Sequence, residues 1–260
     1  MARNIVSVEG YVIKVNKFRE ADAILSVLTS DGMRSFIARG ANKLTSKNRQ
    51  ATLVLNKVLL DVDITSSLHS INGVKTIEDN TLLYEDFISS ACVQVAQEVI
   101  SIFFEEEEQS EYEVNKIPYD YFAAMIKGLK EKFDPLTLLF IFMCQVSIYL
   151  GVGLNIDNCV MCGNKKDIVA LSYLSGGYLC KECAKNESNK ITDITYLKVI
   201  RYGYKVPSEL MTKSILPKEQ TTRALFDIIE NLKDYFGGVS LSSLDLLKAA
   251  LNSILIINNM

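Results

Sequence analysis

Four of the six cysteines in this 260-residue chain stand as two pairs, Cys159-Val160-Met161-Cys162 and Cys180-Lys181-Glu182-Cys183. Seventeen residues separate the pairs, within the spacing of roughly fifteen to twenty that four-cysteine zinc sites use. A C-x-x-C turn lets two thiolates converge on one side, and a second turn returned by a short hairpin completes a tetrahedron around Zn²⁺. Gly163 follows the first pair and Gly176-Gly177 precedes the second, so turn chemistry stands where that hairpin needs it. Disulfides or four unrelated thiols are the alternatives, but four cysteines in 25 residues with this symmetry favour a metal. We expect one structural zinc, ligated by Cys159, Cys162, Cys180 and Cys183. A closed shell of four sulfurs leaves no position for a water, so the metal holds structure and does no catalysis.

Enzymatic readings find little support. A zinc deaminase needs a His/Cys-x-Glu ahead of Pro-Cys-x-x-Cys. Here Cys180-Lys181-Glu182 comes after the other pair, and Asn158 stands where the proline would be. His69, the sole histidine, lies ninety residues before Cys159 in a strand-like stretch. The chain has no G-x-S-x-G, P-loop or G-x-G-x-x-G. No catalytic residue and no bound organic cofactor are expected.

Charge points elsewhere. Residues 1–60 carry ten Lys/Arg against four Asp/Glu, whereas the remaining 200 carry eighteen against twenty-seven. Gly32–Leu60 holds Arg34, Arg39, Lys43, Lys47, Arg49 and Lys57 and no acidic residue. A one-sign patch on a small β domain is the footprint of a phosphate backbone, with a solvated face as the plain alternative. We take Arg34, Arg39, Lys43, Lys47 and Arg49 as the candidate nucleic-acid contacts. Arg34 and Arg39 lie five apart, on opposite faces of a regular strand. They share a site only if the strand bulges or Arg39 sits at the loop mouth, so Arg39, Lys43 and Lys47 rank first. No base-reading helix is legible, so binding is expected to be largely independent of sequence. Phe18, Phe36 and Tyr11 are the aromatic residues of the first 60; each suits either a stacking platform or the core.

The elements that must position these residues fall into two regions. Alternation marks strands at Ile5–Val15, Ala23–Thr29, Met33–Arg39, Thr52–Thr65 and Leu68–Ile77, with a turn at Ser30-Asp31-Gly32. Five short strands in 80 residues suggest a small OB-like barrel. From Asn80 the period becomes helical, in Phe87, Ala91, Val95, Val99 and Ile102, then in Tyr121, Met125 and Leu129. Later stripes are Leu225, Ile229, Leu232 and Phe236, and Leu244, Leu247, Leu251 and Leu255. The expected class is therefore α+β: a barrel over 1–79, then a helical domain over 80–260 with the zinc module inserted at about 157–190. Glu105–Glu108 reads as a solvated acidic connector.

Pro135 to Ile156 contains no charged residue and is long enough to be weighed as a membrane span. Gln145, Ser147 and Asn155 argue against one, as do the acidic flanks Asp134 and Asp157. Asp134-Pro135 is a helix start, so a buried helix is expected. The opening MARNIVSVEG alternates like a strand and lacks a signal pattern. Cys92 and Cys144 read as buried reduced thiols, and the cysteine usage fits a cytoplasmic location.

At this point the residues resemble the bacterial recombination-repair family RecO. Gly10-Tyr11-Val12-Ile13 followed by Arg19-Glu20-Ala21-Asp22-Ala23-Ile24-Leu25 is similar to the family's opening strands. Asp31-Gly32, then Ala38-Arg39-Gly40-Ala41-Asn42-Lys43 running to Ser46-Lys47, resembles its basic hairpin. Phe140, Leu150-Gly151, Cys159 to Gly163, Leu171-Ser172 and Gly176 to Cys183 fit its helix-into-zinc pattern. Two departures stand out: Asn42, where many members carry Arg, and the four-glutamate connector. The resemblance implies a non-enzymatic mediator that binds single- and double-stranded DNA and anneals complementary strands. It also implies that the protein engages the C-terminal tail of single-strand-binding protein and, with RecR, promotes RecA loading. Nucleoid association goes with such a role, and members lacking the cysteines imply that the metal is dispensable to it. The competing reading is a zinc-containing protein-interaction module without nucleic-acid binding.

Overall fold

The computed structural model describes residues 4–43, 46–65, 69–104 and 117–258. The Glu105–Glu108 connector and residues 44 and 45 lie outside this range. Five strands come first: β1 (Ile5–Phe18), β2 (Asp22–Thr29), β3 (Gly32–Ala38), β4 (Lys57–Asp63) and β5 (Ser70–Glu78). Their order β1-β2-β3-β5-β4 closes into a barrel, because β1 pairs with both β2 and β4 while the parallel Ile37–Ser70 bridge joins β3 to β5. Val12, Leu25, Val27, Phe36, Val58, Leu60 and Val62 form its core. The expected α+β class, with a five-stranded barrel preceding helices, is what the chain adopts.

One expected strand is shortened. Thr52–Thr65 reads as continuous alternation, yet Lys47–Thr52 forms a 3-10 turn and β4 begins only at Lys57. Leu55 is the reason. It is fully buried with φ of 77°, and its N–H donates to Val12 O at 2.7 Å while Val12 N donates to Asn56 O. These bonds meet β1 where its register shifts between Val12 and Lys14. The irregularity of β1 thus consumes residues that alternation alone would give to β4.

The helices are α1 (Phe87–Phe103), α2 (Ile117–Lys130), α3 (Pro135–Tyr149), α4 (Lys181–Ala184), α5 (Ile194–Lys205), α6 (Lys218–Tyr235) and α7 (Ser242–Asn258), with β6 (Ile168–Ser172) and β7 (Gly177–Cys180) preceding α4. The Asp134 carboxylate accepts from Thr137 N at 2.8 Å and Pro135 opens α3, as the sequence suggests. Residues 136–147 of α3 are all buried, so its uniform hydrophobicity reflects a protein core. Gln145 is satisfied there by Gly203 O at 2.9 Å. Among the described residues no helix is long and apolar enough to cross a membrane. Cys92 and Cys144 are buried and in no disulfide, and burial pushes the Cys144 thiol well up.

Two compact units emerge: residues 1–119 with 243–260, and residues 120–242. Within the first, α7 is anchored to α1, since the Glu98 carboxylate accepts from Ser243 N at 2.8 Å. Leu225, Ile229 and Leu232 are buried on α6, but Phe236 lies just past the helix and is 37% exposed.

Candidate metal centre and nucleic-acid interface

The cysteine module is built from two turns against the β6–β7 hairpin. Cys159 N donates to Asn164 O and Gly163 N donates to Cys159 O, both at 2.8 Å, closing the first knuckle. Gly163 has φ of 75°, which a β-carbon would disfavour. Asn155 O accepts from Tyr178 N at 2.9 Å, and a β-carbon at Gly177 would sit 2.2 Å from that same oxygen. Only glycine admits so close an approach, so the knuckle rests against β7. On the return side Cys180 ends β7 and caps α4, which carries Cys183. Ala170, Leu179 and Ala184 pack around Cys159 and Cys180 as a small apolar core.

All four Sγ atoms lie within 4.8 Å of one another, and Cys162 and Cys180 are 3.7 Å apart. A tetrahedron with Zn–S bonds near 2.3 Å has edges of about 3.8 Å, so the sulfurs stand at coordination spacing and not at bonding distance. No disulfide joins them. Burial works to raise the Cys159 thiol, yet backbone hydrogen bonds from Cys180, Cys162 and Met161 bring it down to about 6. Hydrogen bonds with Cys162 and Cys180, together with the charge on Cys159, push Cys183 up to about 12. A first thiolate therefore forms readily and opposes the next. A divalent cation removes that conflict by taking all four as thiolates. The donor set fits a metal, and among the described residues it is the only cluster of three or more potential ligands. Asp157, at the stem of the module, is held by Lys205 at 2.9 Å with Arg201 near; the Lys205 hydrogen bond keeps its carboxyl below the usual range.

Glu182 is exposed and pairs with Lys185 at 2.6 Å, an ordinary helix-surface ion pair. His69 lies just before β5, where its carbonyl accepts from Ile37 N.

The basic residues divide. Arg34 pairs with Val27 inside β3, whose register with β2 is unbroken, while Arg39 follows the last residue of that strand. The two stand about 16 Å apart along the chain. Arg39 and Lys43 are exposed in the turn after β3; Arg49 is exposed in the 3-10 turn beyond it, and the Lys47 side chain lies outside the described residues. These turns are fastened together. Asn48 Nδ2 donates to Arg39 O at 3.1 Å, and Lys43 N donates to Gly40 O.

The turn between β1 and β2 joins this group, which sequence contiguity did not reveal. Asp22 Oδ1 accepts from Gly40 N at 2.8 Å, Asn42 Nδ2 donates to Asp22 O at 2.9 Å, and Asn42 N donates to Ala21 O. Asn42, the departure from the family's usual arginine, is thus a brace between two turns. The strand register puts exposed Lys17 and Arg19 at the same end of the barrel as Arg39 and Lys43. Among the described residues none of these four has an ion-pair partner, whereas Lys57 is bound to Glu9 at 2.7 Å. Arg19 is held at φ of 55°, a left-handed conformation costing a non-glycine residue roughly 1–2 kcal/mol.

Comparisons with known proteins agree with this architecture. Residues 1–80 match the family model described as Recombination protein O N terminal, and residues 84–196 match Recombination protein O C terminal. The chain is 22% identical over 249 residues to the DNA repair protein RecO of Exiguobacterium sibiricum, covering 94% of this chain and 96% of that protein. It is 25% identical over 239 residues to the DNA repair protein RecO of Halalkalibacterium halodurans, covering 90% and 91%. A β-barrel followed by helices with a four-cysteine module, in a chain matched over nine-tenths of its length in this way, defines a protein of the DNA repair and recombination class. The chain belongs to the RecO family.

Proposed function

We propose that the protein is a non-enzymatic recombination mediator acting on single- and double-stranded DNA in gap and break repair. It anneals complementary strands, engages the C-terminal tail of single-strand-binding protein and, with RecR, promotes RecA loading. The observation that carries this reading is the unpaired basic group at one end of the barrel, formed by Lys17, Arg19, Arg39 and Lys43. Arg49 extends it and Arg34 contributes from farther along β3, and Lys47 is kept as a contact on its place in the sequence alone. Such a surface neutralises phosphates without reading bases, and it lowers the repulsion between two strands held near one another. The functional division follows the chain, with the barrel over 1–79 and the helical domain over 80–260, and the setting is the cytoplasm, at the nucleoid.

Zinc is the metal proposed for the four cysteines, one per chain. When bound it supplies a structural crosslink between the two turns. The buried Cys159 and Cys180 and the more accessible Cys162 and Cys183 would hold it.

Annealing of complementary oligonucleotides by the isolated chain, followed across a salt series, tests the reading. Acceleration without nucleotide, declining as salt rises, is expected. Strict ATP dependence refutes the mechanism. Retention of DNA affinity with loss of RecR binding in a basic-end variant makes the surface a protein interface instead.

A further inference from the structure

The outward row at this end of the barrel carries more than charge. Ala23 pairs with Ala38, and both lie in the barrel core. The next row therefore faces away from the core. Its members are Phe18, which pairs with Asp22, and Arg39, which follows Ala38. Phe36, the other phenylalanine of the barrel strands, is 2% exposed in the core, but Phe18 is only half-buried. The Arg19 guanidinium lies over the Phe18 ring, 5.0 Å from its centroid, and Arg19 itself is exposed.

We propose that the stacked Phe18–Arg19 pair is the seat for one unpaired base of single-stranded DNA, with the neighbouring phosphates on Arg39 and Lys43. The inference rests on the DNA-binding reading above and adds the strand class and the residues that select it. A flat ring capped by a flat cation offers a stacking surface to any base. Phe18 and Arg39 are two strand spacings apart, about 10 Å. At that distance one nucleotide places its base on the pair and a phosphate near Arg39. Glu20, exposed in the same turn, repels a phosphate but tolerates a neutral base. Asp22 is the positioning residue: by accepting from Gly40 N it fixes the base seat relative to the basic turn. A duplex keeps its bases stacked inside, so only an unpaired strand gains from the seat.

The test compares a labelled oligo-dT with a duplex of equal length, at fixed salt, in the full-length protein. Phe18→Ala is expected to weaken oligo-dT binding about tenfold while leaving duplex affinity within about twofold. Phe18→Leu keeps the apolar bulk without the ring and is expected to show the same selective loss. Full recovery in Phe18→Leu means Phe18 is packing only, and overturns the proposal. Arg19→Lys keeps the charge without the plane, so it is expected to lose the single-strand preference at unchanged salt slope. Should Phe18→Ala fail to fold by circular dichroism, Phe18→Leu and Arg19→Lys decide. Lys43→Glu separates the two layers of the argument. If neither probe binds the unsubstituted protein, the DNA-binding reading fails. If both bind and Lys43→Glu weakens neither, the contact lies off this end of the barrel and the base seat fails with it. If Lys43→Glu weakens both while the Phe18 and Arg19 variants leave the ratio unchanged, the base seat alone fails.

Discussion

In the cysteine module two turns meet at four sulfur atoms within 4.8 Å of one another. At the basic end of the barrel three turns meet through one carboxylate, that of Asp22, and the amides of Asn42 and Asn48. Both arrangements fix loops that carry little core of their own. With the proposed zinc bound, the first would concentrate its holding force at one point, where each sulfur depends on the other three. The second spreads it over several hydrogen bonds, each worth about 1 kcal/mol and separately replaceable. Loss of one ligand should therefore collapse the module, whereas loss of one bond should only loosen the barrel end.

The largest expected effect lies on the metal side. Cys159→Ser, or strong chelation, should release about one zinc per chain and open the module to proteolysis near residues 159–186, with the barrel still folded. Metal analysis and mapping of the cleavage products check this. Zinc absent from freshly purified protein would sink the metal assignment. Next comes Gly177→Ala, whose new methyl meets the Asn155 carbonyl at 2.2 Å. It should destabilise the helical unit by about 2–4 kcal/mol, read by denaturant unfolding. On the barrel side, Arg39→Glu combined with Lys43→Glu should weaken binding to all DNA sequences alike. The slope of log affinity against log salt should flatten by roughly two units. An unchanged slope would move the DNA contact off this end of the barrel. Smallest is Glu20→Gln, which removes a repulsion at an exposed site and should tighten oligo-dT binding about twofold. If that substitution instead weakens binding, Glu20 is part of the fastening and the comparison needs redrawing.

The same contrast explains what could be read from the amino acids. The four ligands of the module sit in two fixed turns within 25 residues, so local spacing identifies all of them. The start of α3 was equally legible, because Asp134-Pro135 encodes its own cap. The basic end is different. Arg39 and Lys43 were visible in an acid-free window, but Lys17 and Arg19 come from the end of β1 and the turn after it, some twenty residues earlier. They join only through strand register and the Asp22 bond, neither of which a charge count can detect. Leu55 shows the limit for alternation. Its burial looks like strand, while its positive φ, imposed by the irregularity of β1, ends the strand there. Phe236 fits the α6 stripe in sequence yet falls beyond the helix, because Gly237 and Gly238 follow at φ of 76° and 80°.

The discontinuity of the first compact unit bears on how the chain acquires its structure. Residues 120–242 form a contiguous unit, but residues 1–119 share theirs with 243–260. Synthesis delivers the pieces in order. The contiguous unit is built from one stretch of chain, whereas α1 must wait for Ser243 before Glu98 gains that partner. A newly made chain therefore passes through an interval in which the barrel's own helical complement is unfinished. Hydrogen exchange pulsed during translation should find α1 protected late, together with α7.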